Sequence, residues 1–230
     1  MIDLGNIIFF KDYMFEVLDM NKVLKEIEHK SATDVLKEYS SKLTYPINIV
    51  DIARKRGFKV AGINFFELEK EKEFKDLVRD RGHILGAVFI DEENAQIIYN
   101  TELIEDGRFS GLSEEEKKDN LRKRQRFTVA HEIAHCALHM SSKEKIHIEF
   151  RNDQTNIFDP KEQEANVFAG ELLMPTNIMI KIGEMCNYDF PIDLLSESFF
   201  VSHNVTKARI RHLVATNVFP KTTKVYETVS

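Results

Sequence analysis

Arg126-Phe127-Thr128-Val129-Ala130-His131-Glu132-Ile133-Ala134-His135-Cys136-Ala137-Leu138 is the stretch from which the rest of this chain can be read. It ends a run from Ser113 to His139 that contains neither Gly nor Pro, with Leu121, Phe127, Ala130, Ala134 and Leu138 recurring at three-to-four spacing. Ser113 followed three residues later by Glu116 is a capping box, so the spacing predicts one long helix. Histidines at i and i+4 stand one above the other on a helix, and their nitrogens can share one tetrahedral zinc ion at roughly 2.0 to 2.1 Å. Glu132, one residue past the first histidine, can then reach water at that ion without occupying it. Zinc lowers the pKa of such water toward about 7, and a neighbouring carboxylate can take its proton as it attacks a polarised carbonyl. The pattern therefore encodes hydrolysis. Its rival is a pair of core histidines, which on so apolar a segment would each need a hydrogen-bond partner.

A catalytic zinc site keeps three protein ligands, so a third must come from elsewhere. Extension of the motif would need Gly at 138 and His at 141, where the chain has Leu138 and Ser141. His139 continues the histidine row, but three side chains from one straight helix do not surround one ion, and it reads as structural. The next helix opens at Asp159-Pro160-Lys161-Glu162, a capping signal with Pro at the first helical position, and ends at Pro175. It offers Glu162, Glu164 and Glu171. Glu162 and Glu164 flank the same apolar stripe of Ala165, Phe168, Ala169 and Leu172, and the helical wheel does not separate them; Glu162, three residues after Asp159, has a capping role to fill.

Outward from these two helices the pattern is mixed. Phe15 to Ile27 and Val35 to Tyr39 have helical spacing, Tyr45-Pro46 interrupts, and Ile47 to Arg56 reads as a helix stopped at Gly57. Phe58 to Phe65 alternates as a strand does. Glu67 to Arg81 is a charged helix or a mobile insertion. Leu85 to Ile90 and Gln96 to Asn100 form a hairpin around Asp91 to Asn94, with Ile146 to Phe150 as a further strand. Ile97 to Asn100 is the strand proposed to receive an extended substrate by edge addition. At the C-terminal end, Leu194 to Phe200 and Val205 to Leu213 have a helix-turn-helix rhythm with Ser202 as N-cap, and Lys207, Arg209 and Arg211 lie on the second helix.

Composition narrows the function classes. With 43% hydrophobic and 30% charged residues over 230 positions the chain is globular, and 17 Phe are enough for a sizeable core. A net charge of -6 argues against broad attraction to nucleic acid or anionic lipid, which leaves DNA binding by the C-terminal helices as the less favoured reading. Cys136 and Cys186 form no C-x-x-C pair, so neither a disulfide framework nor a four-cysteine zinc site is expected, and reducing cytoplasm fits. No apolar run approaches the roughly 18 residues of a membrane span, so no membrane association is expected.

Residues 126–135, followed by Glu164-Ala165-Asn166-Val167-Phe168-Ala169 and Leu172-Leu173-Met174-Pro175, resemble the ImmA/IrrE family of zinc metallopeptidases. The resemblance extends over about residues 40–214. It implies an α+β, zincin-like domain with a small twisted sheet and an active-site helix at 41–176, after an N-terminal helical extension at 1–40. A helix-turn-helix-like segment and tail would occupy 177–230. It further implies one Zn²⁺ held by His131, His135 and Glu164, with Glu132 as the catalytic base. For partners it implies a protein substrate, a helix-turn-helix repressor or antitoxin-like protein cut at one or few bonds. The alternative is a DNA-binding regulator or toxin-antitoxin component with the zinc site secondary. Arg124, Arg126, Tyr99 and His203 are candidates to assist at the oxyanion, each read first as structural or solvated.

Overall fold

The computed structural model describes residues 31–39, 44–70, 82–90, 95–103, 109–140, 146–150 and 159–227. The helix expected at Phe15 to Ile27, most of the charged segment after Glu67 and the hairpin turn at 91–94 lie outside them. Seven of the described elements run up to and include the long helix that carries His131 and His135. They are α1 (Ala32–Lys37), α2 (Ile49–Lys55), β1 (Lys59–Ile63), α3 (Phe65–Leu68), β2 (Ile84–Ile90), β3 (Ala95–Asn100) and α4 (Glu114–Leu138). There follow β4 (Ile146–Phe150), α5 (Pro160–Leu173), α6 (Thr176–Met185), β5 (Asp189–Pro191), α7 (Ile192–Phe199), α8 (His203–Ala215) and β6 (Lys224–Tyr226).

Short polar side chains set where the helices begin, because the first backbone N–H groups of a helix have no internal partner. Ser31 accepts from Asp34 N–H, Asn48 from Asp51 N–H and Ser202 from Val205 N–H. At Ser113 the capping box is complete: its Oγ accepts from Glu116 N–H at 3.3 Å, and Glu116 accepts from Ser113 N–H at 2.7 Å. The strand expected over Phe58 to Phe65 is shorter. Asn64 accepts from Glu67 N–H and turns the chain into α3, which leaves Phe65 fully buried at a helix start.

The main sheet has the order β1-β3-β2-β4, with β1 parallel to β3 and the other pairs antiparallel. Side chains alternate across it as the pleat requires. Val88, Ile90, Ala95 and Ile97 join the large core that includes α4, while Ala87 and Ile98 join Phe65 and Ile84 on the opposite face. The hairpin is thus as expected, but β3 lies between β1 and β2, and its N–H and C=O groups are engaged on both sides. It cannot receive a further strand, which overturns the choice of Ile97 to Asn100 as a substrate edge. Among the described residues the edges of this sheet are β1 and β4.

The sheet positions α4, and α4 is tied to everything that follows. Gly86 of β2 is where strand and helix come closest: a Cβ there would stand 2.2 Å from Thr128 Cγ2 and 3.7 Å from Glu132 Oε1. The large core runs from Ala32 to Phe219, so residues on both sides of position 176 are packed into one interior. Arg126 closes this arrangement, with its guanidinium donating to Ile47 O at 2.8 Å and to the carbonyls of Phe199 and Phe200. The two C-terminal helices meet through a buried Ser196–Thr206 hydroxyl pair at 2.9 Å, and Phe200 makes the turn between them at φ 50°. Among the described residues no helix is long and apolar enough to cross a membrane.

Candidate metal centre

His131 and His135 sit on the buried half of α4, with 1% and 3% of their surface exposed, and Glu132 between them is wholly buried. The four-residue spacing places the rings 4.6 Å apart, and the two Nε2 atoms face each other at 2.9 Å. Glu162, in the first turn of α5, closes the group. Its Oε2 lies 3.1 Å from His131 Nε2 and its Oε1 3.4 Å from His135 Nε2. Tetrahedral bonds of about 2.0 to 2.1 Å place ligand atoms about 3.3 Å apart, so this triangle has the dimensions of three ligands around one ion. The chemistry fits too: two imidazoles and a carboxylate are the donor set of a catalytic zinc site, and one ligand atom of each lies within 4.8 Å of the others.

The third member is therefore Glu162 and not Glu164. Two residues apart on a helix is about 200° of rotation, so the two carboxylates cannot serve the same neighbour. Glu164 is 65% exposed and lies 3.6 Å from His139 Nε2, away from His131 and His135. The expected capping role of Glu162 is filled differently: Asp159 accepts from Lys161 N–H at 2.9 Å, and Glu162 turns to the imidazoles. His139 is structural as read, its Nε2 meeting Lys161 O at 3.0 Å and tying the end of α4 to the start of α5.

Asn166 was not singled out by the sequence reading. It stands one turn after Glu162, and its Oδ1 lies 3.1 Å from His131 Nδ1. The signal that finds both residues is the rule that selected the histidines. Glu162 and Asn166 are an i, i+4 pair on α5, facing the i, i+4 pair on α4.

Residues 117–211 match the family model of Peptidase_M78, the IrrE N-terminal-like domain. The resemblance read from residues 126–135 and 164–175 thus holds for the segment carrying both helices of the site. The matched segment starts in the first turn of α4 and ends within α8, so β1, β2 and β3 lie upstream of it. No curated protein and no solved structure matches the chain.

The other candidates of the M78 segment and its surroundings are engaged in holding the fold. Arg124 donates to Glu102 O at 2.6 Å, and Arg126 binds three carbonyls as described, its burial lowering its affinity for the proton. Tyr99 lies against Gly62, where a Cβ would stand 3.0 Å from its ring. His203 pairs with Asp193 at 3.3 Å on the surface of the C-terminal helices. Cys136 is buried, and burial together with the negative charge of Glu132 pushes its thiol pKa well up, as suits a small apolar filler.

Proposed function

We propose that this chain is a zinc-dependent endopeptidase in which His131, His135 and Glu162 hold the ion and Glu132 is the general base. The observation that carries the reading is the closed triangle of ligand atoms between α4 and α5, found within a stretch that matches a metallopeptidase family. Bound there, zinc supplies Lewis acidity to the scissile carbonyl and makes water more acidic. The protein supplies the rest. α4 and α5 fix the three donors in a buried, low-dielectric setting that strengthens their electrostatic effect. Glu132 Oε1 takes the proton of the attacking water and returns it to the departing amine, which leaves the carboxylate unchanged over the cycle.

An extended substrate has a place to bind. β4 is an edge strand, and its neighbour β2 carries Gly86, which lies against Thr128 and Glu132. Adding a strand to β4 would satisfy its outer N–H and C=O groups and carry a peptide past the general base. Glu149 of β4 is in register with Gly86, which marks where that peptide would cross. As substrate we propose a regulatory protein of the helix-turn-helix repressor kind; what supports this is the family resemblance of residues 126–175. Of the three basic side chains of α8 on which the DNA-binding alternative rests, two are engaged within the protein. Arg209 is 4% exposed and bound to Glu171, and Lys207 is paired with Glu227 at 2.6 Å.

The test is elemental analysis of protein purified without added metal, joined to a cleavage assay against a helix-turn-helix repressor and against casein. One zinc per chain, lost in His131→Ala, with cleavage of the repressor abolished in Glu132→Gln, is the expected result. A chain that neither copurifies with nor binds a divalent metal would end the reading. Rapid casein digestion with the repressor intact would leave the chemistry and remove the regulatory substrate.

A further inference from the structure

We propose that Asn166 is a positioning residue that decides which nitrogen of His131 faces the metal centre, an inference that rests on the metal reading above. Only a histidine nitrogen without its proton can bind a metal, and which nitrogen is bare is set by the hydrogen bond made by the other. His131 is 1% exposed, so a proton on its Nδ1 must find its acceptor within the protein. Asn166 Oδ1 is that acceptor at 3.1 Å. With Nδ1 donating to it, Nε2 is left with a lone pair, and Nε2 is the atom that faces His135 and Glu162.

The arrangement is built by one helix. Glu162 and Asn166, four residues apart on α5, address the two nitrogens of the same ring, each at 3.1 Å. The backbone that brings the third ligand to the centre thereby brings the residue that orients the first. Without Asn166 the carboxylate of Glu162 would attract the ring proton to Nε2, the one position where it blocks a metal. Asn166 is itself solvent-exposed, so replacing it does not open a hole in the core, and a loss of metal affinity can be separated from a loss of fold.

Two measurements test this. Competition with a chelator gives zinc affinity for wild type, Asn166→Leu and Asn166→Asp. Nitrogen-15 NMR of the histidine rings in the metal-free wild type shows whether His131 Nδ1 carries a proton. We expect Asn166→Leu to weaken zinc on the order of 10- to 100-fold with its circular dichroism unchanged. Asn166→Asp should bind at or above wild-type affinity, since a carboxylate accepts from the same N–H and makes the ring a stronger donor. His131 Nδ1 should be protonated in the wild type. Equal affinity of wild type and Asn166→Leu, or a bare Nδ1 in the wild type, overturns the assignment. Should the wild type bind no zinc, the metal reading fails, and the protonation of Nδ1 still decides the role of Asn166.

Discussion

Two helix pairs in this molecule carry clusters of polar side chains, and they differ in what those side chains are for. At the end of the fold, Arg209 of α8 donates to Met174 O at 3.1 Å, to Thr176 Oγ1 at 2.6 Å and to the Glu171 carboxylate, which itself accepts from Thr176 N–H at 3.0 Å. Each group there joins one element to another. Between α4 and α5, the Nε2 atoms of His131 and His135 and the carboxylate of Glu162 converge on one another at 2.9 to 3.4 Å, all within the same pair of helices. The first cluster completes a fold; the second is the group in which we propose that a metal is held.

That contrast can be broken by substitution, and the largest effect should come at the centre. His131→Ala is expected to abolish stoichiometric metal binding, measured by elemental analysis, and a variant still carrying one zinc per chain would dissolve the distinction. Glu132→Gln should keep the metal and lower hydrolysis on the order of 10² to 10⁴, since it removes a proton acceptor and no ligand. Kinetics on the same preparation used for metal analysis will show whether the two effects separate.

At the C-terminal cluster the sign is reversed. Arg209→Leu leaves the part-buried Glu171 carboxylate without its charge partner and should cost up to about 3 kcal/mol in denaturant unfolding. Zinc stoichiometry of the fraction that remains folded should not change. Desolvation lowers the affinity of Arg209 for its proton, and the neighbouring Glu171 carboxylate opposes that effect. The exchange of roles between Glu162 and Glu164 is a finer test. Glu162→Gln should weaken zinc binding, whereas Glu164→Gln should leave it intact and change stability by no more than about 0.5 kcal/mol. The smallest effect is expected at the thiols: Cys136 should resist alkylation until the protein unfolds, while the half-exposed Cys186 reacts in the native state.

What was legible in the sequence follows the range of the interactions involved. The long helix, its capping box and the placement of His131, Glu132 and His135 on it depend on neighbours within one or two turns, and all of these appear where the sequence places them. Choosing Glu162 over Glu164 depends on the rotation of α5 about its own axis against α4, which no local pattern records. Both carboxylates flank the stripe, and only the packing of Ala165, Phe168 and Ala169 decides which flank meets the histidines. The interior position of β3 was hidden for a similar reason, because its second partner, β1, precedes the hairpin that made β3 recognisable. The tie between Arg209 and Glu171 is not legible in the sequence, because Glu171 lies on another helix 38 residues earlier in the chain.

The Arg209 contact also bears on how this protein can be handled or recombined. A fragment cut after Pro175 keeps every residue named at the metal centre, yet it strips the cover from Leu172, Leu173 and Met174, each wholly buried in the intact chain. Such a fragment would present an apolar strip on the helix that holds Glu162 and Asn166, next to a carboxylate with no counterion. It should therefore be insoluble or self-associating in the laboratory, and in any gene fusion the junction that preserves α5 lies beyond Phe219, where the shared interior ends.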